Sequence, residues 1–165
     1  MQVIGQGAGV RAILGGLLLA GLLSASAMGA EATATPQSAT LTIHVETVGK
    51  GGLVRLGLYD EVGYGDEKGK PIAFADVPAV EGETVIVLRD VPAGTYAIET
   101  YQDVNGNDKM DTDWVGLPLE PYGFSRDAKP FLSKPPFSKV KFQLHAGAQS
   151  QTLHLQNSVS EMASK

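Results

Sequence analysis

The residues with the plainest chemical meaning lie in one run, Asp103-Val104-Asn105-Gly106-Asn107-Asp108-Lys109-Met110-Asp111-Thr112-Asp113. Oxygen-bearing side chains fall at its first, third, fifth and ninth positions, the spacing with which a tight loop wraps a hard cation. Calcium suits that donor set. Asp103, Asn105 and Asn107 would offer side-chain oxygens, Lys109 its backbone carbonyl, and Asp111 a direct or water-bridged contact. Calcium takes about six to eight oxygens, which this set does not complete. The run also departs from a helix-loop-helix calcium site. Asp108 stands at the sixth position, where a sharp turn favours glycine, and Trp114 at the twelfth, where a bidentate carboxylate belongs. Asp tolerates left-handed backbone, so the first departure is survivable. For the second, Asp113 or Glu120 would have to supply the missing ligand. The alternative is an Asx-rich turn without metal, since Asn and Asp favour turns for reasons of their own.

The loop runs on into Trp114 to Phe137, which holds Tyr122, Phe124 and Phe131 at irregular spacing. Such a stretch either folds over one end of the domain as a small second core or exposes its rings to a ligand. Packing is the expectation. A small-molecule or carbohydrate binding module is the alternative function. A hydrolase built on the acidic loop ranks below both, because a general acid and base need a cleft that moves one carboxyl group away from the other. Ser125 lacks the second glycine of a nucleophile elbow, and Gly65 to Lys70 lacks the spacing and hydroxyl of a phosphate loop. His44, His145 and His154 occupy outward strand positions and are read as ordinary surface histidines.

The elements that must position this loop are short strands. Leu41, Ile43 and Val45 alternate with Thr42 and His44; Val54, Leu56 and Leu58 alternate with Arg55 and Tyr59. Ile72 to Phe74 predicts a short edge strand, and Thr84 to Leu88 a β-branched one. Thr95 to Gln102 follows the turn Asp90 to Gly94, with Tyr96 placed to return its hydroxyl to the backbone as a tyrosine corner. Lys139 to Leu144 and Gln151 to Leu155 complete about seven strands, enough for a single antiparallel β-sandwich, immunoglobulin-like or transthyretin-like.

Ahead of the strands, Arg11 precedes the apolar run Ala12 to Leu23, and Ala25-Ser26-Ala27 follows it. A run this short with small residues behind it predicts a cleaved signal peptide over 1–27 and a mature start at Met28. The expected order is then a flexible leader over 28–39, the sandwich domain over 40–156 and a loose tail over 157–165. Losing Arg11 leaves 12 basic and 18 acidic residues, a net charge of −6, which argues against nucleic acid as a partner. With no cysteine there is neither a disulfide nor a lipid-anchored thiol, and no membrane association is expected after cleavage.

Several pieces in order carry a family resemblance: Asp90-Val91-Pro92-Ala93-Gly94-Thr95-Tyr96-Ala97, Asp103-Val104-Asn105-Gly106-Asn107, Gly116-Leu117-Pro118-Leu119-Glu120, Tyr122-Gly123-Phe124-Ser125 and Pro135-Pro136-Phe137. Together they resemble the bacterial domains of unknown function numbered 2141 (DUF2141), from about Leu41 to Leu155. The typical family loop has glycine where Asp108 stands. The resemblance implies export and a β-sandwich, and it brings no activity with it. The expectation is a periplasmic or secreted, monomeric, non-enzymatic β-sandwich with a structural calcium loop.

Overall fold

Alternation of apolar and polar residues sets the first strand, β1 (Ser38–Thr47), in which Ala39, Leu41, Ile43 and Val45 are buried and the residues between them are not. The computed structural model describes residues 38–157 except 48, 50, 67 and 132. The expected signal peptide, the leader up to residue 37 and the tail beyond residue 157 lie outside the described residues. β1 starts two residues before the expected domain boundary at Thr40, since Ala39 already packs into the core.

After β1 come β2 (Leu53–Tyr59), a short helical turn α1 (Glu61–Gly65), β3 (Ala73–Pro78), β4 (Gly82–Pro92) and β5 (Gly94–Asp103). Then follow β6 (Tyr122–Phe124), a 3-10 turn at Ser125–Asp127, the helical turn α2 (Phe137–Val140), β7 (Phe142–Leu144) and β8 (Gly147–His154). One sheet has the order β4-β1-β8. The second runs β3-β2-β5-β6, with β7 also pairing β5. Leu41, Ile43, Val45, Ile86 and Leu153 from the first sheet share one apolar core with Val54, Leu58, Ile98 and Leu144 from the second. The fold is therefore all-β, two sheets on a common core.

Three details correct the expectation. Among the described residues the strands number eight, because Tyr122–Phe124 adds an edge beside β5. The pairing is not wholly antiparallel: β1 and β8 run parallel, Ala39 opposite Gly147 and Val45 opposite Leu153. Alternation along a strand fixes which side chains face inward and leaves the direction of its neighbour open. Finally, Lys139 and Val140 belong to a helical turn. Pro135 and Pro136 precede it, Lys139 N–H donates to the Pro136 carbonyl at 2.9 Å, and proline presets the backbone for a helix start. Val140 is buried against Tyr64 and Ala97 in a smaller cluster behind β5.

Along β5 both the alternation of faces and the expected tyrosine corner are present. Tyr96 and Ile98 face the main core while Ala97 faces the second cluster. The Tyr96 hydroxyl donates to the Pro92 carbonyl at 3.0 Å, closing the turn back on itself. At the far end of β5, a side chain on Gly52 would strike the Asp103 carbonyl oxygen, and Gly52 has φ +71°, so only glycine lets β2 start so close to the loop.

Candidate functional site

The acidic loop starts where β5 ends, and its first residue is its anchor. Asp103 is fully buried. Its Oδ1 accepts the N–H groups of Gly106 (2.7 Å) and Asn107 (3.1 Å), and its Oδ2 accepts those of Asp108 (2.9 Å) and the Arg55 side-chain Nε (3.0 Å). Both oxygens are thus engaged by the loop itself. Gly106 at φ +71° and Asp108 at φ +65° make the left-handed bends that turn those amides inward, so Asp108 does fill the glycine-like position.

Asn105 Oδ1 accepts from the Asn107 N–H and Asn107 Oδ1 from the Lys109 N–H, two successive Asx turns. Their amide nitrogens both reach Asp111: Asn105 Nδ2 lies 2.6 Å from Oδ2, and Asn107 Nδ2 lies 2.9 and 3.0 Å from the two oxygens. Glu120, almost fully buried, closes the loop by accepting the Val104 N–H at 2.9 Å and the Asp111 N–H at 3.2 Å. Asp113 turns away to organise its own bend, accepting from Val115 (3.0 Å) and Leu117 (2.8 Å). Of the seven residues expected as metal ligands, the structure brings together the side chains of Asp103, Asn105, Asn107, Asp111 and Glu120 with the Lys109 backbone, and leaves Asp113 out. Among the described residues no three His, Cys, Asp or Glu side chains are arranged to hold a metal ion.

Arg55 is the residue that the sequence did not single out. Projecting from β2, it pairs with Asp103, with Asp76 at 3.1 Å and with Asp108, so one guanidinium joins strand β3 to the loop. Its partners are 21 to 53 residues away in the chain, and no local spacing marks them.

Beside the loop, the outward face of the second sheet forms the floor of a groove of about 1270 Å³. Tyr59, Phe74, Tyr101, Tyr122 and Phe124 line it from the strands, and Leu117 and Phe131 from the segment that crosses above. Gly57 leaves room on the floor for the Tyr59 ring, which a side chain there would meet at 2.5 Å. The aromatic stretch divides between its two expected roles. Tyr122 is buried and Phe124 and Phe137 are half-buried, yet Phe131 is 84% exposed and Trp114 95% exposed. The expectation that Trp114 packs is thus wrong: it sits within the bend that Asp113 closes over residues 113–117, and its ring is left to solvent.

Two of the groove's cations are answered internally. Arg55 has its three aspartates; Lys134 Nζ lies 2.6 Å from Glu99, 2.8 Å from the Tyr64 carbonyl and 4.0 Å above the Tyr64 ring. Tyr64 donates to the Pro135 carbonyl at 2.7 Å, and burial, with Glu99 adding to it, pushes its hydroxyl well above the ordinary tyrosine range.

Ser125 is buried and fully bonded. Its oxygen accepts the Ile98 N–H at 2.9 Å and donates to the Val140 carbonyl at 2.6 Å, a structural pin between β5 and α2. His44 and His154 each meet carboxylates of their own. His44 Nδ1 lies 3.3 Å from Glu83, and His154 Nδ1 lies 2.8 Å from Asp127 with Nε2 3.3 Å from Glu46. The hydrogen bond and charge of Asp127, assisted by Glu46, raise the His154 pKa.

A family model described as "Uncharacterized protein conserved in bacteria (DUF2141)" matches residues 43–152. No curated protein and no solved structure matches the chain. The family match covers 110 of the 165 residues, from within β1 to within β8, and takes in the acidic loop, its Arg55 partner and the groove, so the chain belongs to this bacterial family.

Proposed function

We propose that the protein is an exported, non-catalytic binding module whose ligand lies in the groove over the second sheet. The observation that carries this reading is the groove itself: exposed and half-buried rings above a sheet floor, with Arg55 and Lys134 in its wall already paired to carboxylates of the same chain. Such a surface favours a neutral molecule with an apolar or ring-shaped face, a carbohydrate included. The histidines do not line the groove and Ser125 is locked into the backbone, which supports binding over catalysis. Export rests on residues 1–27, with a periplasmic or secreted location; intact mass of the exported protein should place Met28 first.

The neutral dye N-phenylnaphthylamine tests the groove. Its fluorescence should rise saturably at one site per chain, and Phe131→Ala should weaken binding by about tenfold, the worth of one well-placed ring. Neutral oligosaccharides that displace the dye would assign the site to sugars. Unsaturable dye fluorescence, or equal binding by the variant, removes the groove from the account.

A second reading keeps calcium in the loop, and the meeting of Asn105, Asn107 and Asp111 favours it. Turning the two amides over would place their oxygens beside the Asp111 carboxylate, at the loss of two Asx-turn bonds. Millimolar calcium should then raise the melting temperature and chelator lower it, magnesium being a poor substitute. A melt indifferent to both leaves the loop as a hydrogen-bonded turn.

A further inference from the structure

Basic residues are unevenly distributed along this acidic chain. Five of them, Arg126, Lys129, Lys134, Lys139 and Lys141, fall between residues 126 and 141, with Asp127 as the only acid among them. Four of the five line a pocket of about 390 Å³ together with Ser133, and no carboxylate lines it. Asp127 does not neutralise this group, because its carboxylate is committed to β8: Oδ1 accepts the His154 N–H at 2.9 Å and Oδ2 meets the imidazole at 2.8 Å. Lys134 has Glu99, but among the described residues neither Arg126 nor Lys139 has an ion-pair partner.

The backbone beneath the pocket is strained. Arg126 (φ +64°) and Asp127 (φ +49°) are consecutive non-glycine residues in the left-handed region, which L side chains avoid. Two clamps hold the turn in that state. Ser125 is pinned between Ile98 and Val140 on one side, and Asp127 is bonded to His154 on the other. Strain fixed by its surroundings collects where a side chain must be held in place. Here it holds the Arg126 guanidinium in the wall of the same pocket as Lys139, two like charges without an ion-pair partner among the described residues, whose repulsion an anion between them would relieve.

We infer that this pocket is an anion site for a phosphate group, with Arg126 and Lys139 as its principal donors and the Ser133 hydroxyl within its wall. Guanidinium and ammonium groups are the usual donors to phosphate oxygens, and the planar guanidinium fork is preorganised to meet them. The site stands apart from the neutral groove ligand and does not depend on it, although Lys129, Phe131, Ser133 and Lys134 line both cavities. A free ester and a lipid headgroup both present such a phosphate; the chemistry of the contact is the same.

The full chain without its signal segment serves for the test, at low ionic strength because screening weakens such contacts. In one arm inorganic phosphate and pyrophosphate are titrated while backbone amide resonances are followed. In the other, vesicles of phosphatidylglycerol are compared with vesicles of phosphatidylcholine in cosedimentation. The variants are Arg126→Asn, which keeps a residue tolerant of the left-handed turn, and Lys139→Gln; both positions are exposed and the fold should survive. Saturable shifts confined to residues near 126–139, weakened at least about tenfold in either variant, establish the site with a soluble phosphate as its ligand. Binding to phosphatidylglycerol vesicles alone, lost in the variants, establishes it with a headgroup. Linear shifts spread over the lysines of the whole surface, or binding unchanged in both variants, overturn it.

Discussion

Between the sheets, Leu41, Ile43, Val45, Leu58 and Ile98 are sealed from water and held by contact with one another. At the end of β5 the loop over 103–120 is held differently. Its outer residues Val104, Val115 and Leu119 face solvent, while two buried carboxylates, Asp103 and Glu120, gather five of its backbone N–H groups. Apolar packing is divisible: each methylene contributes its share, and neighbours relax to fill a gap. An acceptor hub is not divisible, because removing one carboxylate orphans every amide that points at it. The sheets should therefore tolerate change in proportion to its size, and the loop should fail all at once.

The largest effect expected is at the hub. Asp103→Ala strands three N–H groups, while Arg55 keeps Asp76 and Asp108, and at roughly 1 kcal/mol or more for each orphaned amide the loss is about 3 kcal/mol in chemical denaturation. Asp103→Asn, which keeps one acceptor oxygen, should recover part of it. A loss under about 1 kcal/mol would mean the amides are equally well served by water, and the contrast between the regions would collapse.

Next comes a graded change in the core. Ile43→Val should cost about 0.5 to 1.5 kcal/mol with an unchanged denaturant slope, leaving hydrogen exchange of the loop amides at 106, 107 and 108 as before. Faster exchange at those amides, beyond the global loss, would show that loop and core are one cooperative unit.

The smallest effect belongs to His154, an exposed residue of β8 whose pKa is raised by Asp127 and Glu46. A folded-state pKa above the unfolded one adds stability that is complete below the ordinary histidine value of 6.5 and fades as pH rises through the raised value. His154→Gln should lower the melting temperature by about 1 to 2 °C near about pH 5.5 and leave it unchanged near about pH 9. A decrease of equal size at both would assign the effect to packing.

Most strands of both sheets were legible in the sequence because alternation is local: Val54, Leu56 and Leu58 announce their own inward face, whereas the three-residue edge Tyr122–Phe124 is too short to show a period. So were the tyrosine corner and the left-handed bend at Asp108, both governed by nearest neighbours. The parallel match of β1 with β8 was not, since direction is settled between segments far apart in the chain. The groove escaped for a related reason. Tyr59, Phe74 and Tyr101 each look like a single outward residue on its own strand, and only the sheet puts them side by side. In the loop the residues were found, but the same Asn and Asp side chains serve an Asx turn and a cation equally well, so spacing alone does not choose between them.

The parallel pairing of the first and last strands also sets the order in which the molecule can be completed. β1 forms the centre of its sheet, yet one of its two neighbours is the final strand, with Ala39 waiting for Gly147 across nearly the whole domain. Contacts that close so long a stretch form slowly. A chain delivered N-terminus first, whether from a ribosome or through a narrow pore, carries β1 with an open edge until β8 has emerged. The topology thus delays completion of this sheet until the last strand of the domain is available.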